Sequence, residues 1–113
     1  MSRRDTLLAA FDAVNAQSPD GIMACWNPDG TYDNPMVGSA RTGYDDVHAC
    51  MVNLVDGLAK TGQTLAVDRV TEGDHHVMVE WHVEPSDGRR GIHVAEFDAE
   101  DQLMHVTVYP RST

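Results

Sequence analysis

The sequence predicts an α+β domain, with helices covering one face of an antiparallel sheet, and the hydrophobic pattern carries that prediction. Up to about residue 62 the apolar positions recur at helical spacing, and from Gln63 onward they alternate with polar ones. The alternating half is cut by short turn-rich stretches, which favours hairpins over the long crossovers of a parallel sheet. At 113 residues the chain is one domain, long enough for a single core, so any pocket must be cut into that core.

The elements follow in order. Leu7, Leu8, Phe11 and Val14 share a helical face between Thr6 and Asn15. Ser18-Pro19-Asp20 supplies an N-cap, a proline at the first helical position and an acid in the first turn, opening a short second helix to about Cys25. Thr31-Tyr32-Asp33-Asn34-Pro35 reads as a strand, and its period of two points the Tyr32 phenol and the Asn34 carboxamide to one face. After the breaks at Gly38 and Gly43, the positions Val47, Met51, Leu54, Val55 and Leu58 mark a third helix. Asp45 and Asp46 suit its start, Lys60 and Gly62 its end. Four strands are predicted beyond it: Thr64 to Thr71, His76 to Glu84, Arg90 to Asp98 and Leu103 to Tyr109.

A two-residue Asp87-Gly88 turn would pair His82 with His93 and Glu80 with Ala95. Met78, Glu80, His82, His93, Ala95 and Phe97 then share one sheet face, and Val77, Val79, Trp81, Val83, Ile92 and Val94 the other. Hydrophobicity alone buries the second set and wets the first.

Composition narrows the partners. With 18 acidic against 8 basic residues the formal charge is −10, which repels phosphate backbones and anionic lipid surfaces, so neither nucleic acid nor membrane is expected. No apolar run has the length of a transmembrane helix and the first residues carry no cleavage pattern, so a cytoplasmic location is expected. Cys25 and Cys50 lack metal or CxxC spacing and read as reduced packing residues. There are six histidines but no HExxH motif; Glu80, His82 and His93 would be the ligands if zinc were held, and no metal or cofactor is expected.

The element order, together with Asn15-Ala16-Gln17-Ser18-Pro19-Asp20-Gly21-Ile22, Tyr32-Asp33-Asn34-Pro35, Arg41-Thr42-Gly43, Val79-Glu80-Trp81 and Glu96-Phe97-Asp98, resembles the nuclear transport factor 2-like family. That family includes SnoaL-like polyketide cyclases, ketosteroid isomerases and limonene epoxide hydrolases. The resemblance spans nearly the whole chain. It implies a cone-shaped, curved antiparallel sheet with three helices on the concave face, enclosing an apolar pocket, and a homodimer through the outer face. It also favours the parity opposite to hydrophobicity, turning the Glu80 and His82 set into the pocket and leaving the Val79 and Trp81 set as an apolar patch for a second copy.

Carried over residue by residue, the resemblance gives Tyr32 and Asn34 the places of residues that hold a water in limonene epoxide hydrolases. Glu80 and His82 fall where those enzymes keep an arginine and an aspartate, and Val108 replaces their second aspartate. Against ketosteroid isomerases, Asn34 stands at the base position, Ala10 at the oxyanion tyrosine and His93 at the protonated aspartate, so that apparatus is absent. The candidate catalytic residues are therefore Glu80, His82 and His93, a carboxylate poising a histidine as general base. Tyr32, Asn34, Trp26, Met51, Phe97, Met104 and Val108 are the candidate substrate-binding wall. The chain then reads as a cofactor-independent hydrolase, isomerase or cyclase acting on an apolar small molecule, or as a non-catalytic binding module of the same fold.

Overall fold

A computed structural model of the chain describes residues 1–112. Helix α1 spans Arg3–Asn15 and begins where the Ser2 hydroxyl accepts from the Asp5 N–H at 3.1 Å. Helix α2, Pro19–Met23, starts under Ser18, whose hydroxyl accepts from the Gly21 N–H at 3.0 Å. Strand β1, Trp26–Asp33, leads through a 3₁₀ turn at Pro35–Val37 to the two-residue β2, Arg41–Thr42. Helix α3, Tyr44–Thr61, closes on Gly62 in the left-handed conformation (φ 66°), which a glycine adopts without a Cβ penalty. Strands β3 (Thr64–Glu72), β4 (His76–Glu84), β5 (Arg89–Phe97) and β6 (Leu103–Ser112) complete the chain.

The six strands form one curved, unclosed sheet in the order β2-β1-β6-β5-β4-β3. The sheet is mixed rather than wholly antiparallel, because β1 runs parallel to β6. No tight turn fixes their relative direction, since β1 and β6 are joined through α3 and the other strands. The short β2, read from sequence only as a chain break, adds an edge to β1 through Thr31 and Tyr32.

The β4–β5 register corrects the expected one. His82 lies opposite Arg90, Glu80 opposite Ile92 and Val79 opposite His93, so β5 is displaced by an odd number of residues from the expected pairing. The loop is Pro85 to Gly88 rather than a two-residue turn: Asp87 accepts from the Arg89 N–H at 3.0 Å and Gly88 takes φ 88°. An odd displacement turns one strand's residues over relative to the other's. Val77, Val79, Trp81 and Val83 are all buried against the helices, together with Ala95 and on the same face as His93. Met78, Glu80 and His82 lie on the outer face with Ile92 and Val94. A buried valine gains about 1.5 to 3 kcal/mol, so exposing Val77, Val79 and Val83 would cost about 5 kcal/mol or more. That sum selects on β4 the parity which hydrophobicity alone predicts, while β5 takes the opposite one, with His93 and Ala95 inward and Ile92 and Val94 outward.

The patch on which the homodimer expectation rested is thus inside the protein. The outer face instead presents the half-buried Met78, Ile92 and Val94 among charged neighbours, and Tyr109 at 54% exposure. Beneath the sheet, Leu7, Phe11 and Val14 of α1, Ile22 and Met23 of α2, and Val47, Met51, Val55 and Leu58 of α3 close the core. Among the described residues no helix is long and apolar enough to cross a membrane.

Candidate functional site

Between the helices and the concave sheet face the core leaves a cavity in two compartments that share Tyr32, Leu54, Leu65 and His93. The inner one, about 30 Å³, is walled by Leu7, Phe11, Ile22, Trp26, Met51 and Val106 among others. The outer one, about 90 Å³, runs past Asn34, Trp81 and Val108 to a mouth at Met36, Arg89, Arg90 and Arg111. Each tryptophan lies over a glycine: a Cβ on Gly30 would sit 2.6 Å from Trp26 Cε3, and one on Gly91 would sit 2.6 Å from Trp81 Cζ2. Glycine inside a strand here marks a close approach that a side chain would block.

Tyr32 and Asn34 meet at the cavity wall, and the direction of their hydrogen bond matters. Asn34 Nδ2 donates to the Tyr32 hydroxyl oxygen at 3.0 Å, while Asn34 Oδ1 accepts from the Met36 N–H at 3.0 Å and caps the 3₁₀ turn. The backbone thereby fixes which end of the carboxamide faces the phenol. With its oxygen already accepting, Tyr32 keeps its own proton free to donate. Burial pushes the phenol pKa above its usual value, outweighing the Asn34 hydrogen bond, and the group stays neutral.

His93 is pinned in a comparable way. The Trp81 indole Nε1–H donates to His93 Nδ1 at 2.7 Å, and the Phe11 ring stands edge-on at 4.9 Å. Burial pushes the imidazole pKa down to about 4, so the ring is neutral near neutral pH. A neutral imidazole carries one N–H, and the accepting role of Nδ1 leaves it on Nε2. Among the described residues Nε2 has no protein partner and is not sealed from the cavity that His93 lines. His93 accordingly offers the cavity a donor rather than a base.

The structure divides the expected catalytic cluster. Glu80 and His82 lie on the outer face, across the sheet from His93, and the reason is the β4–β5 register. His82 is held there by Asp68 at 2.7 Å through Nδ1 and by Glu84 at 2.8 Å through Nε2, and these hydrogen bonds raise its pKa. Asp68 reaches it because the β3–β4 pairing shifts between Val67 and Arg69. Glu80 sits 3.7 Å from Arg69. Among the described residues no group of three or more His, Cys, Asp or Glu comes together in a way that could hold a metal ion.

Of the expected binding wall, Trp26, Tyr32, Asn34, Met51 and Val108 line the cavity. Met104 does not: Glu96 pairs with His105 and Phe97 with Leu103, which leaves Met104 as an extra bulge residue, 36% exposed, while Leu103 and Val106 point inward. Phe97 is half-buried at the edge of the core with the Arg3 guanidinium 5.7 Å from its ring centre, outside both compartments. The sequence reading missed Trp81 as the partner of His93. The signal was Gly91, a lone glycine in an alternating strand, which calls for a bulky neighbour above it.

The three helices and the curved sheet thus enclose an apolar cavity with a few convergent polar atoms. The chain matches the description of the SnoaL-like domain over residues 7–106 and belongs to that family. A SnoaL-like protein of unknown function from Burkholderia thailandensis superposes with a TM-score of 0.84 at 16% identity, covering 96% of this chain and 94% of that one. A protein from Sphaerobacter thermophilus superposes with a TM-score of 0.79 at 22% identity, over 100% of this chain and 99% of the other. SalBIII, an epoxide hydrolase/cyclase-like enzyme of pyran ring formation in the polyether salinomycin, gives 0.80 at 16% identity over 96% and 90%. At such identities these likenesses show the fold alone. No curated protein matches the chain.

Proposed function

We propose that the domain binds an apolar small molecule through an accepting oxygen, a carbonyl or ether, that takes hydrogen bonds from the Tyr32 hydroxyl and His93 Nε2–H. The observation that carries this reading is the pair of fixed hydrogen bonds, Asn34 to Tyr32 and Trp81 to His93, which leaves both cavity groups as neutral donors. Neither Glu80 nor His82 lines either compartment, so the lining supplies no carboxylate–histidine base. Any reaction promoted here would draw on hydrogen-bond stabilisation of negative charge developing on the bound oxygen, in an apolar setting that strengthens it. Cyclisation or ring opening of an oxygen-bearing apolar substrate suits that arrangement, in keeping with the family and with the cyclase-like neighbour.

The test is a titration of apolar lactones, cyclic ketones and epoxides against hydrocarbons of equal size, followed by tryptophan fluorescence. Both tryptophans of the chain line the cavity and report on its filling. Oxygenated ligands should bind about tenfold more tightly than hydrocarbons, and Tyr32→Phe should erase much of that difference. Equal binding of both classes to the wild-type protein would refute the donor reading.

A further inference from the structure

The outer face of the sheet carries an arginine pair that plays no part in the cavity. Strand β5 alternates, so Gly91 and His93 belong to the cavity side while the Arg90 side chain leaves the sheet on the other side, opposite His82 of β4. Arg111 of β6 is the direct cross-strand partner of Arg90 and projects the same way. The Cβ atoms of such a pair stand about 5 Å apart, and like charges so placed destabilise the pairing. The acids around them are already engaged: Asp68 and Glu84 hold His82 at 2.7 and 2.8 Å, and Glu80 faces Arg69 at 3.7 Å. Among the described residues neither Arg90 nor Arg111 has an acidic partner. Both border a groove of about 380 Å³ on the outer face, which also takes in Asp68, Arg69, Glu80 and Ile92. Three of the chain's eight basic residues stand there against two acids, a local excess of positive charge in a protein of net charge −10.

We propose that this outer groove binds the terminal phosphate of a small phosphomonoester, clamped between the Arg90 and Arg111 guanidiniums. A terminal phosphate offers three strong acceptor oxygens and about two negative charges, so it can take hydrogen bonds from both arginine forks at once. A carboxylate, with two oxygens and one charge, matches a single fork. A dianion seated between the two guanidiniums also offsets the repulsion between them, which a monoanion does less well. Over the rest of the acidic surface anions are repelled, and the groove is the place where one can be held. The site lies across the sheet from the cavity, and it does not depend on the cavity holding a ligand.

Methyl phosphate, dimethyl phosphate and acetate, titrated at constant ionic strength, vary the charge and the number of free oxygens in turn. Backbone amide chemical shifts followed through each titration report both the affinity and the place. Methyl phosphate should saturate with a Kd of about 1 mM or below and move the amides of Arg90, Gly91, Ile92 and Arg111 most, while the two monoanions bind at least about tenfold more weakly. The Arg90→Gln/Arg111→Gln double variant should lose about tenfold or more in methyl phosphate affinity, yet melt no lower than wild type, since a repulsive pair has been removed. Arg4→Gln/Lys60→Gln removes the same charge at exposed positions on the helices and should leave methyl phosphate affinity within about twofold of wild type, because distant surface charges are screened. Equal binding of the three anions, shifts centred elsewhere in the protein, or an equal loss in the two double variants would overturn the proposal.

Discussion

Acidification should expose the buried state of His93 as a loss of stability. The imidazole is held down to about pKa 4 by burial, against about 6.5 in an unfolded chain. Between those values the unfolded chain takes up a proton that the folded protein refuses, so stability falls as the pH drops through that window. The slope is about 1.4 kcal/mol per pH unit, giving a loss of about 2.5 kcal/mol by about pH 4.5 relative to about pH 7. Urea unfolding of wild type and His93→Gln at both pH values isolates this contribution, because the other titrating groups are common to both proteins. The glutamine amide oxygen can still accept from Trp81 Nε1, so the variant keeps a partner for the indole. The stability difference between the proteins should shift by about 2.5 kcal/mol in favour of the variant at the lower pH. Nitrogen chemical shifts of His93 should place the proton on Nε2 throughout. A His93 resonance titrating near its ordinary value, or a difference between the two proteins independent of pH, would refute the neutral-donor assignment.

Three further outcomes follow from the same geometry. Gly91→Ala places a Cβ 2.6 Å from Trp81 Cζ2; displacing the indole should cost about 1 to 3 kcal/mol and loosen the Trp81–His93 hydrogen bond, seen as a lower melting temperature and a changed His93 spectrum. Asn34→Ala removes the cap on Met36 and the donor to Tyr32, and a loss of about 1 to 2 kcal/mol with weaker binding of oxygenated ligands is expected in denaturant and titration experiments. His82 has the opposite sign to His93, since Asp68 and Glu84 raise its pKa. Its contribution is fully present below its ordinary pKa and is lost as the pH rises through the raised one. The melting-temperature advantage of wild type over His82→Gln should therefore fade from mildly acidic to alkaline pH, with ligand binding in the cavity unchanged.

The Tyr32 and Asn34 pair was legible because the signal is local: alternation fixes their common face, and the asparagine before Pro35 announces the turn that orients it. The Glu80, His82 and His93 cluster was misread for an equally definite reason. It depended on a two-residue turn at Asp87-Gly88, and the longer loop from Pro85 moves β5 by an odd number of residues. Met104 failed in the same manner, because a bulge that no local pattern announces turns it outward. Trp81 looked like part of a dimer patch and is instead the group that fixes the tautomer of His93.

The sequence by itself determined the order of elements, their caps and their approximate ends, since these rest on periodicity and on side chains acting within a few residues of their own backbone. Only the tertiary structure decided which face each sheet residue presents. That choice is collective: strand register follows from loop length, bulges and the summed burial of Val77, Val79, Trp81 and Val83, and a single-residue slip reverses it. The setting of His93, beside the Trp81 indole rather than Glu80 and His82, turned on that one registration.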